Sequence, residues 1–328
     1  IHMTRAGAPD VLTPVELPQP EPAAGQVLVQ LRAAGVNPVD TKLRSRGVFF
    51  DHALPAILGC DGAGIVTDTG SEVTGLRPGD DVWFCHGGLG GAPGNYAEFT
   101  VLEQAVACRM PASLDFTAAA ALPLVAITAW EALFDRACLG DGQTVLIHAG
   151  AGGVGHVAIQ LARSVGARVA TTVSTAAKAE FVRELGAEKI IDYRTQDVTA
   201  QIMDWTGGRG VDVVLDTVGG ETFRQSLSAA RVYGHVVTLL DPGTDVAWKT
   251  ARERNLSIAF TLMLTPMLQD LPDARHHQGE ILQRCAQLVE TGQLTPHVKS
   301  TLPLEEVARA HRAIEEGHVQ GKIVLQMP

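Results

Sequence analysis

The chain has 328 residues, 46% hydrophobic and 19% charged, which is too long for one ordinary core and suits two folded domains of roughly 150 residues each. Acidic side chains outnumber basic ones 36 to 26, and the formal charge of −10 repels phosphate backbones and anionic lipid surfaces, setting nucleic acid and membranes aside as partners. No apolar run approaches the ~18 residues of a membrane span, and the opening IHMTRAGAPDVL lacks the cationic-then-apolar order of a leader. The expectation is a cytoplasmic protein. Its five cysteines, Cys60, Cys85, Cys108, Cys138 and Cys285, include no CxxC pair and read as free, buried thiols.

In chain order, Pro14–Gly25 (PVELPQPEPAAG) reads as an extended, proline-rich lead-in. The runs QVLVQLRAAGVN, AILGCDGAGIVTDTG, GDDVWF and YAEFTV follow, punctuated by turns such as LRPGD, and together they predict an antiparallel β domain. The texture changes to alanine-rich helix at SLDFTAAAALPLVAITAWEALF, with Asp115 or Thr117 as its cap. Six β-prone runs then appear, TVLIHAG, ARVATTV, EKIIDY, VDVVLDTVG, HVVTLL and LSIAFTLM. Helical patterns such as AKAEFVRELGA and ETFRQSLSAAR lie between most of them. Strand and helix in alternation predict a doubly wound parallel sheet of the Rossmann kind. The tail, with a helix around 280–290, another at LEEVARAHRAIEEG and a last strand KIVLQM, breaks the alternation and is expected to return to the first domain. The expected division is 1–118 completed by 292–328, and 119–291 between them. LSIAFTLM is expected at an edge of the parallel sheet, where an unprotected apolar strand commonly pairs with its own copy, so a homodimer is expected.

Gly150, Gly152 and Gly155 satisfy GxGxxG. The triplet alone is a weak signal, but here it follows the strand TVLIHA and opens the helix VGHVAIQLARSVG at the first strand-to-helix turn of the alternating region, the context the motif requires. A pyrophosphate can reach the unpaired N–H groups of a helix N-terminus only where no side chain holds it away. About twenty residues on, an NAD site should show an acid that grips the ribose hydroxyls. RVATTVSTAAKAE has none between Arg168 and Ala179; Ser174 stands near that position and Lys178 follows one helical turn later, a hydroxyl and a cation suited to a 2′-phosphate. NADPH is therefore the expected cofactor. His148, just before the glycine turn, reads as a satisfied core residue, and His276–His277 as loop polarity.

The segments VNPVDTKLRSRG, PAILGCDGAGIV, GSEVTGLRPGDDVW, AAALPLVAITAWEAL, IHAGAGGVGHVAIQLA, IDYR and GKIVL, taken in that order, resemble the medium-chain dehydrogenase/reductase superfamily, and within it the quinone oxidoreductase branch. The resemblance runs over essentially the whole chain and implies that it begins inside the family's first strand. It implies an α/β protein with a Rossmann domain and a mostly antiparallel GroES-like catalytic domain formed from both ends of the chain. Carried over residue by residue, it implies that Gly150, Gly152, Gly153, Val154 and Gly155 cradle the pyrophosphate. Ser174, Lys178 and Tyr193 would then surround the 2′-phosphate, and Thr128, Val218, Leu240 and Leu262 would lie along the nicotinamide. Asn37, Asp40 and Thr41 fall on the segment that faces the nicotinamide in relatives. Asn37 is thus the candidate to hydrogen-bond a substrate oxygen or a cofactor hydroxyl, while Asp40 either assists or holds the loop backbone. Arg44 and Arg46 would either meet an anionic substrate or stay solvated.

The zinc-dependent branch has a catalytic Cys where this chain has Asn37, His-Glu where it has Cys60-Asp61, and a further Cys near Leu124; its four-cysteine lobe is missing too. A tetrahedral catalytic zinc needs three converging protein ligands, so no metal is expected, the remaining alternative being a site of Cys60, Asp61 and a histidine such as His86. Without a Lewis acid, an isolated ketone is a poor substrate, because hydride transfer places its negative charge on one oxygen. A quinone or conjugated carbonyl spreads that charge over its own π system, leaving the protein to bind and orient. The expected function is NADPH-dependent hydride transfer to such small, electron-poor acceptors. An enoyl-thioester or 2-alkenal reductase is the near alternative, although Phe49 stands where some enoyl reductases carry a proton-donating Tyr. A nucleotide-binding protein with little catalysis is the alternative from another class.

Overall fold

The computed structural model of the protein describes residues 1–50, 53–317 and 319–328. Its backbone forms two compact units, Ile1–Leu124 with Leu264–Pro328, and Val125–Met263.

The first unit is built on a sheet in which Val298–Pro303, Lys322–Gln326, Gln26–Val36, Asp61–Thr69, Asp81–Cys85 and Cys108–Arg109 are successive neighbours, with Phe99–Glu103 also paired to Gln26–Val36. Most pairings are antiparallel. The tail returns as expected: Lys322–Gln326 runs antiparallel to Gln26–Val36, with Ile323 opposite Val36. This register lets two residues nearly three hundred positions apart share one buried environment. Pro14–Gly25 forms no strand and leads directly into Gln26. Asp115 caps the helix Phe116–Ala120 by accepting from Ala118 N at 2.7 Å.

In the second unit, β1 (Thr144–Ile147), α1 (Gly153–Ser164), β2 (Arg168–Val173), α2 (Ala176–Glu184), β3 (Lys189–Asp192), α3 (Val198–Trp205), β4 (Val211–Asp216), α4 (Glu221–Ala229), β5 (Ala230–Thr238), α5 (Trp248–Glu253) and β6 (Ser257–Phe260) alternate. All six strands are parallel, in the order β3-β2-β1-β4-β5-β6. The chain starts mid-sheet, winds outward to β3 and returns past β1 to β4, so the strand order reverses between β1 and β4. Leu146, Ala170, Ile191, Val214 and Val236 belong to one core with Phe223 and Leu227 of α4. Both faces of a parallel sheet are covered, which is why these strands read as near-continuous apolar runs. β6 is an edge strand, paired among the described residues only with β5.

Three expectations need correction. The helix expected near 280–290 spans Pro272–Glu290 and lies in the first unit, with the rest of the returning tail, although the expected boundary at 291 left it with the Rossmann strands. It packs there because Gly279 permits a close approach: a Cβ on it would stand 2.5 Å from the Ala105 carbonyl, while Cys108 Sγ donates to the Gly279 carbonyl at 3.2 Å. The second unit accordingly ends at Met263 rather than at 291. His276 and His277 lie on that helix, within 3.7 and 3.5 Å of Glu280 rather than in a loop. All five cysteines are free, but Cys138 is exposed, on a left-handed turn at φ 50°. Among the described residues no helix is long and apolar enough to cross a membrane.

Candidate functional site

Apart from Thr128, the residues carried over for nucleotide binding within the second unit stand at or beyond the C-terminal end of a parallel strand, where open α/β sheets bind ligands. The glycine turn follows β1, Ser174 follows β2, Tyr193 follows β3, Val218 follows β4, Leu240 follows β5 and Leu262 follows β6. Lys178 lies in the first turn of α2, whose N-cap Thr175 accepts from Lys178 N at 3.2 Å. The Tyr193 N–H donates to the Val173 carbonyl at 3.2 Å, which ties the end of β2 to the residue after β3. Tyr193, Val218 and Leu262 are exposed large side chains. No ion pair engages the Lys178 ammonium among the described residues.

The turn itself is sterically exacting. A Cβ at Gly150 would stand 2.0 Å from Thr171 Oγ1, and one at Gly155 would stand 2.3 Å from the Ala149 carbonyl. Both glycines therefore allow α1 to close onto β1 and β2. Gly152 differs, since its Cβ would meet only the Ala149 carbonyl, at 3.2 Å, so the space over it is open. Gly152 is the N-cap of α1 and supplies no side-chain cap; the first i→i−4 bond runs from His156 N to Gly152 O at 3.1 Å. The amides of Gly153, Val154 and Gly155 precede that bond and face an open, positively polarised helix end. This cradle fits a pyrophosphate. His148 beneath it is buried, with Nε2 3.1 Å from Ser226 Oγ and Nδ1 3.5 Å from Thr172 Oγ1. Burial lowers its pKa to about 4, against the pull of Asp216, and holds the ring neutral.

Asn37 and Asp40 belong to a second arrangement, inside the first unit. The strand Gln26–Val36 ends at Asn37, which caps the helix Pro38–Arg46, and the Asp40 carboxylate accepts the Asn37 N–H at 2.8 Å. The same Asp40 oxygen accepts from the Tyr96 hydroxyl at 2.9 Å, and that hydroxyl lies 3.3 Å from His311 Nε2. Asn37 Nδ2 donates to Asp61 at 2.8 Å, while the Lys322 ammonium donates to Asn37 Oδ1 and lies 3.4 Å from Asp61. The remaining Asp61 oxygen accepts Leu124 N at 2.7 Å, at the start of helix Pro123–Trp130. Asn37, Asp40, Asp61 and His311 are fully buried and Lys322 nearly so. Burial raises the Asp40 pKa to about 7, opposed by the Asn37 N–H and the Tyr96 hydroxyl, and it lowers His311 to about 3, with Arg44 adding to the effect. Burial also pushes Asp61 upward, against the ammonium of Lys322 and the Asn37 amide.

Asn37 thus has both ends of its amide engaged and no exposed surface. In this arrangement it holds Asp61 and Lys322. Thr41 bonds back to the Pro38 carbonyl at 3.0 Å. Thr128 lies on helix Pro123–Trp130, buried at 6% exposure. Arg44 is buried and paired with Glu315, so it is not a solvated loop charge, whereas Arg46 is exposed. The sequence reading missed Lys322, Tyr96 and His311; the available signal was a lysine opening an apolar strand, since a buried lysine requires a partner. Among the described residues no three His, Cys, Asp or Glu side chains form a group able to hold a metal ion.

Residues 23–112 match the alcohol dehydrogenase GroES-like domain and residues 185–325 match a domain described as zinc-binding dehydrogenase. The chain is 33% identical to a quinone oxidoreductase of Pseudomonas aeruginosa over 99% of this chain and 98% of that protein. It is 34% identical to a 2-haloacrylate reductase of a Burkholderia species, over 98% of this chain and 96% of that one. The crystal structure of the Escherichia coli quinone oxidoreductase complexed with NADPH superposes with a TM-score of 0.88 at 31% identity, covering 99% of this chain and 98% of that chain. The chain belongs to the medium-chain dehydrogenase/reductase superfamily, in its quinone oxidoreductase branch.

Proposed function

We propose that this protein is an NADPH-dependent reductase that delivers hydride to quinones or similar conjugated carbonyl compounds without a metal ion. The observation that carries the reading is the open helix end at Gly152–Gly155 at the strand-order reversal, followed at the end of β2 by Ser174 and an unpaired Lys178 instead of an acid. Bound there, NADPH supplies the hydride. The chain supplies the pyrophosphate cradle, a hydroxyl and a cation for the 2′-phosphate, and, in Val218, Leu240 and Leu262, apolar side chains for the nicotinamide side. The Escherichia coli relative crystallised with NADPH supports this choice of cofactor.

Metal independence is supported by the chemistry of the first unit. Asn37 stands where the zinc branch has a cysteine, no cysteine lies near Leu124 in the sequence where that branch has another, and Asp61 already has an ammonium partner in Lys322. We propose that Asn37 and Asp40 act as positioning residues through that buried cluster, and that Thr128 contributes a hydroxyl near the reacting ring. The acceptor takes hydride plus one proton, the proton coming from water or a hydroxyl. A second reading, reduction of a conjugated carbonyl other than a quinone, is favoured by the similarity to the 2-haloacrylate reductase. The edge strand β6, with Phe260 exposed, supports a homodimer, and the absence of any disulfide among free cysteines suits the cytoplasm.

Steady-state rates with NADPH and NADH against 1,4-benzoquinones, 2-alkenals and a crotonyl thioester, on protein assayed for zinc, test the proposal. NADPH-dependent turnover of the quinone or alkenal by metal-free protein is expected. Binding of NADPH with no turnover on any acceptor would instead indicate a nucleotide-binding protein with little catalysis. A single protomer mass in size-exclusion chromatography at micromolar concentration would contradict the dimer.

A further inference from the structure

Apart from the cluster around Asp61, the first unit holds a partly buried cation without a carboxylate partner among the described residues. Arg275 projects from the first turns of helix Pro272–Glu290, where its Nη2 donates to the Cys85 carbonyl at 2.8 Å and its Nη1 to Gln278 Oε1 at 2.9 Å. Both acceptors are neutral, and no carboxylate pairs with it among the described residues; the nearby Cys85, Cys60 and Cys108 are thiols that burial keeps protonated and uncharged. A guanidinium carries five N–H donors, so two accepted bonds leave part of the fork unused.

Arg275 lines a cavity of roughly 550 Å³ within the first unit, whose other walls include Leu89, Val106, Pro266 and Met267. The volume lies in the range of about 300–1,000 Å³ typical of small-molecule sites. His86, also on the wall, is held neutral by burial and by Arg275 itself, with its pKa lowered to about 4. The cavity's two acids among the described residues, Glu103 and Asp270, are both exposed, where solvent weakens their opposition to an anion. A partly desolvated cation with only neutral acceptors is costly unless an anion joins it, and a planar fork matches the two oxygens of a carboxylate.

We propose that this cavity binds the carboxylate of an electron-poor acceptor, with Arg275 as its receptor, so that the substrates of this reductase are conjugated carbonyl compounds bearing an acid group. The proposal rests on the reductase reading for its substrate but not for its binding site. It also runs against the net charge of −10, which by itself would repel such molecules.

Two measurements test it. The first compares kcat/KM for 1,4-naphthoquinone-2-carboxylate and for 2-methyl-1,4-naphthoquinone, which differ chiefly in the acid group. The wild-type ratio is expected to favour the carboxylate, and Arg275→Met is expected to lower that ratio by about tenfold or more, mainly through KM, with Arg275→Lys in between. Equal losses on both acceptors would mean that Arg275 only braces the helix, and would overturn the proposal. The second measures binding of benzoate and benzamide to the wild-type full chain by calorimetry without NADPH, and stands even if the Met variant does not fold. Benzoate is expected to bind about tenfold tighter or better; equal affinities would sink the idea. If neither naphthoquinone is turned over while benzoate still binds through Arg275, the reductase reading fails and the anion site survives.

Discussion

The glycine turn and the buried polar cluster solve opposite problems. The turn gathers its function from six consecutive positions, 150–155, and works by leaving backbone amides open. The cluster gathers Asn37, Asp61, Tyr96 and Lys322 from strands and loops separated by as many as 285 positions, and works by pairing buried polar side chains with one another. One depends on the absence of side chains and the other on mutual saturation. A defect in the turn should therefore weaken ligand binding first, whereas a defect in the cluster should weaken the fold first.

The sharpest break of this contrast is Lys322→Met. It removes the cation facing Asp61 and leaves a buried carboxylate and an amide oxygen without their partner. Removing one member of a buried pair costs about 3–5 kcal/mol, and chemical denaturation should show a loss of that size. Adding Asp61→Asn should recover part of it, because the stranded charge then disappears. A loss below about 1 kcal/mol would class the pair with ordinary surface ion pairs and remove the distinction drawn here.

Asp40→Asn probes the same cluster through pH. The folded pKa of about 7 lies above the ordinary value of 3.8, so between those values the native state holds a proton that the unfolded chain has released. Asp40 therefore contributes stability that is full below pH 4 and is lost as pH rises through 7. The integrated effect is at most about 4 kcal/mol. His86, His148 and His311, all lowered by burial, impose the opposite slope below pH 6.5. The quantity to read is accordingly the difference between wild-type and Asn curves, which should shrink from pH 4 to pH 7 and then level. A constant difference would show that Asp40 stays ionised in the folded protein.

How much of each region could be read in the sequence follows from the same contrast. The turn was legible because its determinants are contiguous: glycine spacing, the apolar strand before and the helix after. The strand series and the Asp115 cap were legible for the same reason. Lys322 was not, since nothing in GKIVL says which strand it will pair with, and its neighbour Asn37 becomes visible only through the register Ile323–Val36. The helix Pro272–Glu290 shows a further limit: its apolar stripe specifies burial but not which unit it covers, and one close contact at Gly279 decides that. Arg44, read as a loop charge, was misjudged because Glu315 lies 271 positions away.

Within the turn, two glycines separate fold from ligand. Gly155→Ala should loosen α1 against Ala149, lowering both the melting temperature and NADPH affinity, the latter by roughly thirtyfold, or about 2 kcal/mol. Gly152→Ala meets only the 3.2 Å contact, so its melting temperature should stay near wild type while the added methyl group still intrudes on the phosphate, costing about tenfold in affinity. Calorimetric titration with NADPH beside a thermal melt distinguishes the two. Equal melting losses would mean that the cradle is as tightly packed at Gly152 as at Gly155.

The smallest effect expected is at Lys178. The residue is half-buried, its ammonium has no carboxylate partner among the described residues, and Ser174 and Tyr193 stand at the ends of the same two strands. A cation there attracts the extra phosphate that distinguishes NADPH from NADH and is indifferent to the rest of the molecule. Lys178→Met should therefore raise the Kd for NADPH about tenfold, near 1.4 kcal/mol, leave that for NADH nearly unchanged, and weaken further dependence of NADPH binding on salt. If both cofactors lose affinity together, Lys178 supports the turn as a whole rather than reading the 2′-phosphate, and the adenosine end of the site belongs with the saturated cluster in depending on distant packing instead of on a local charge.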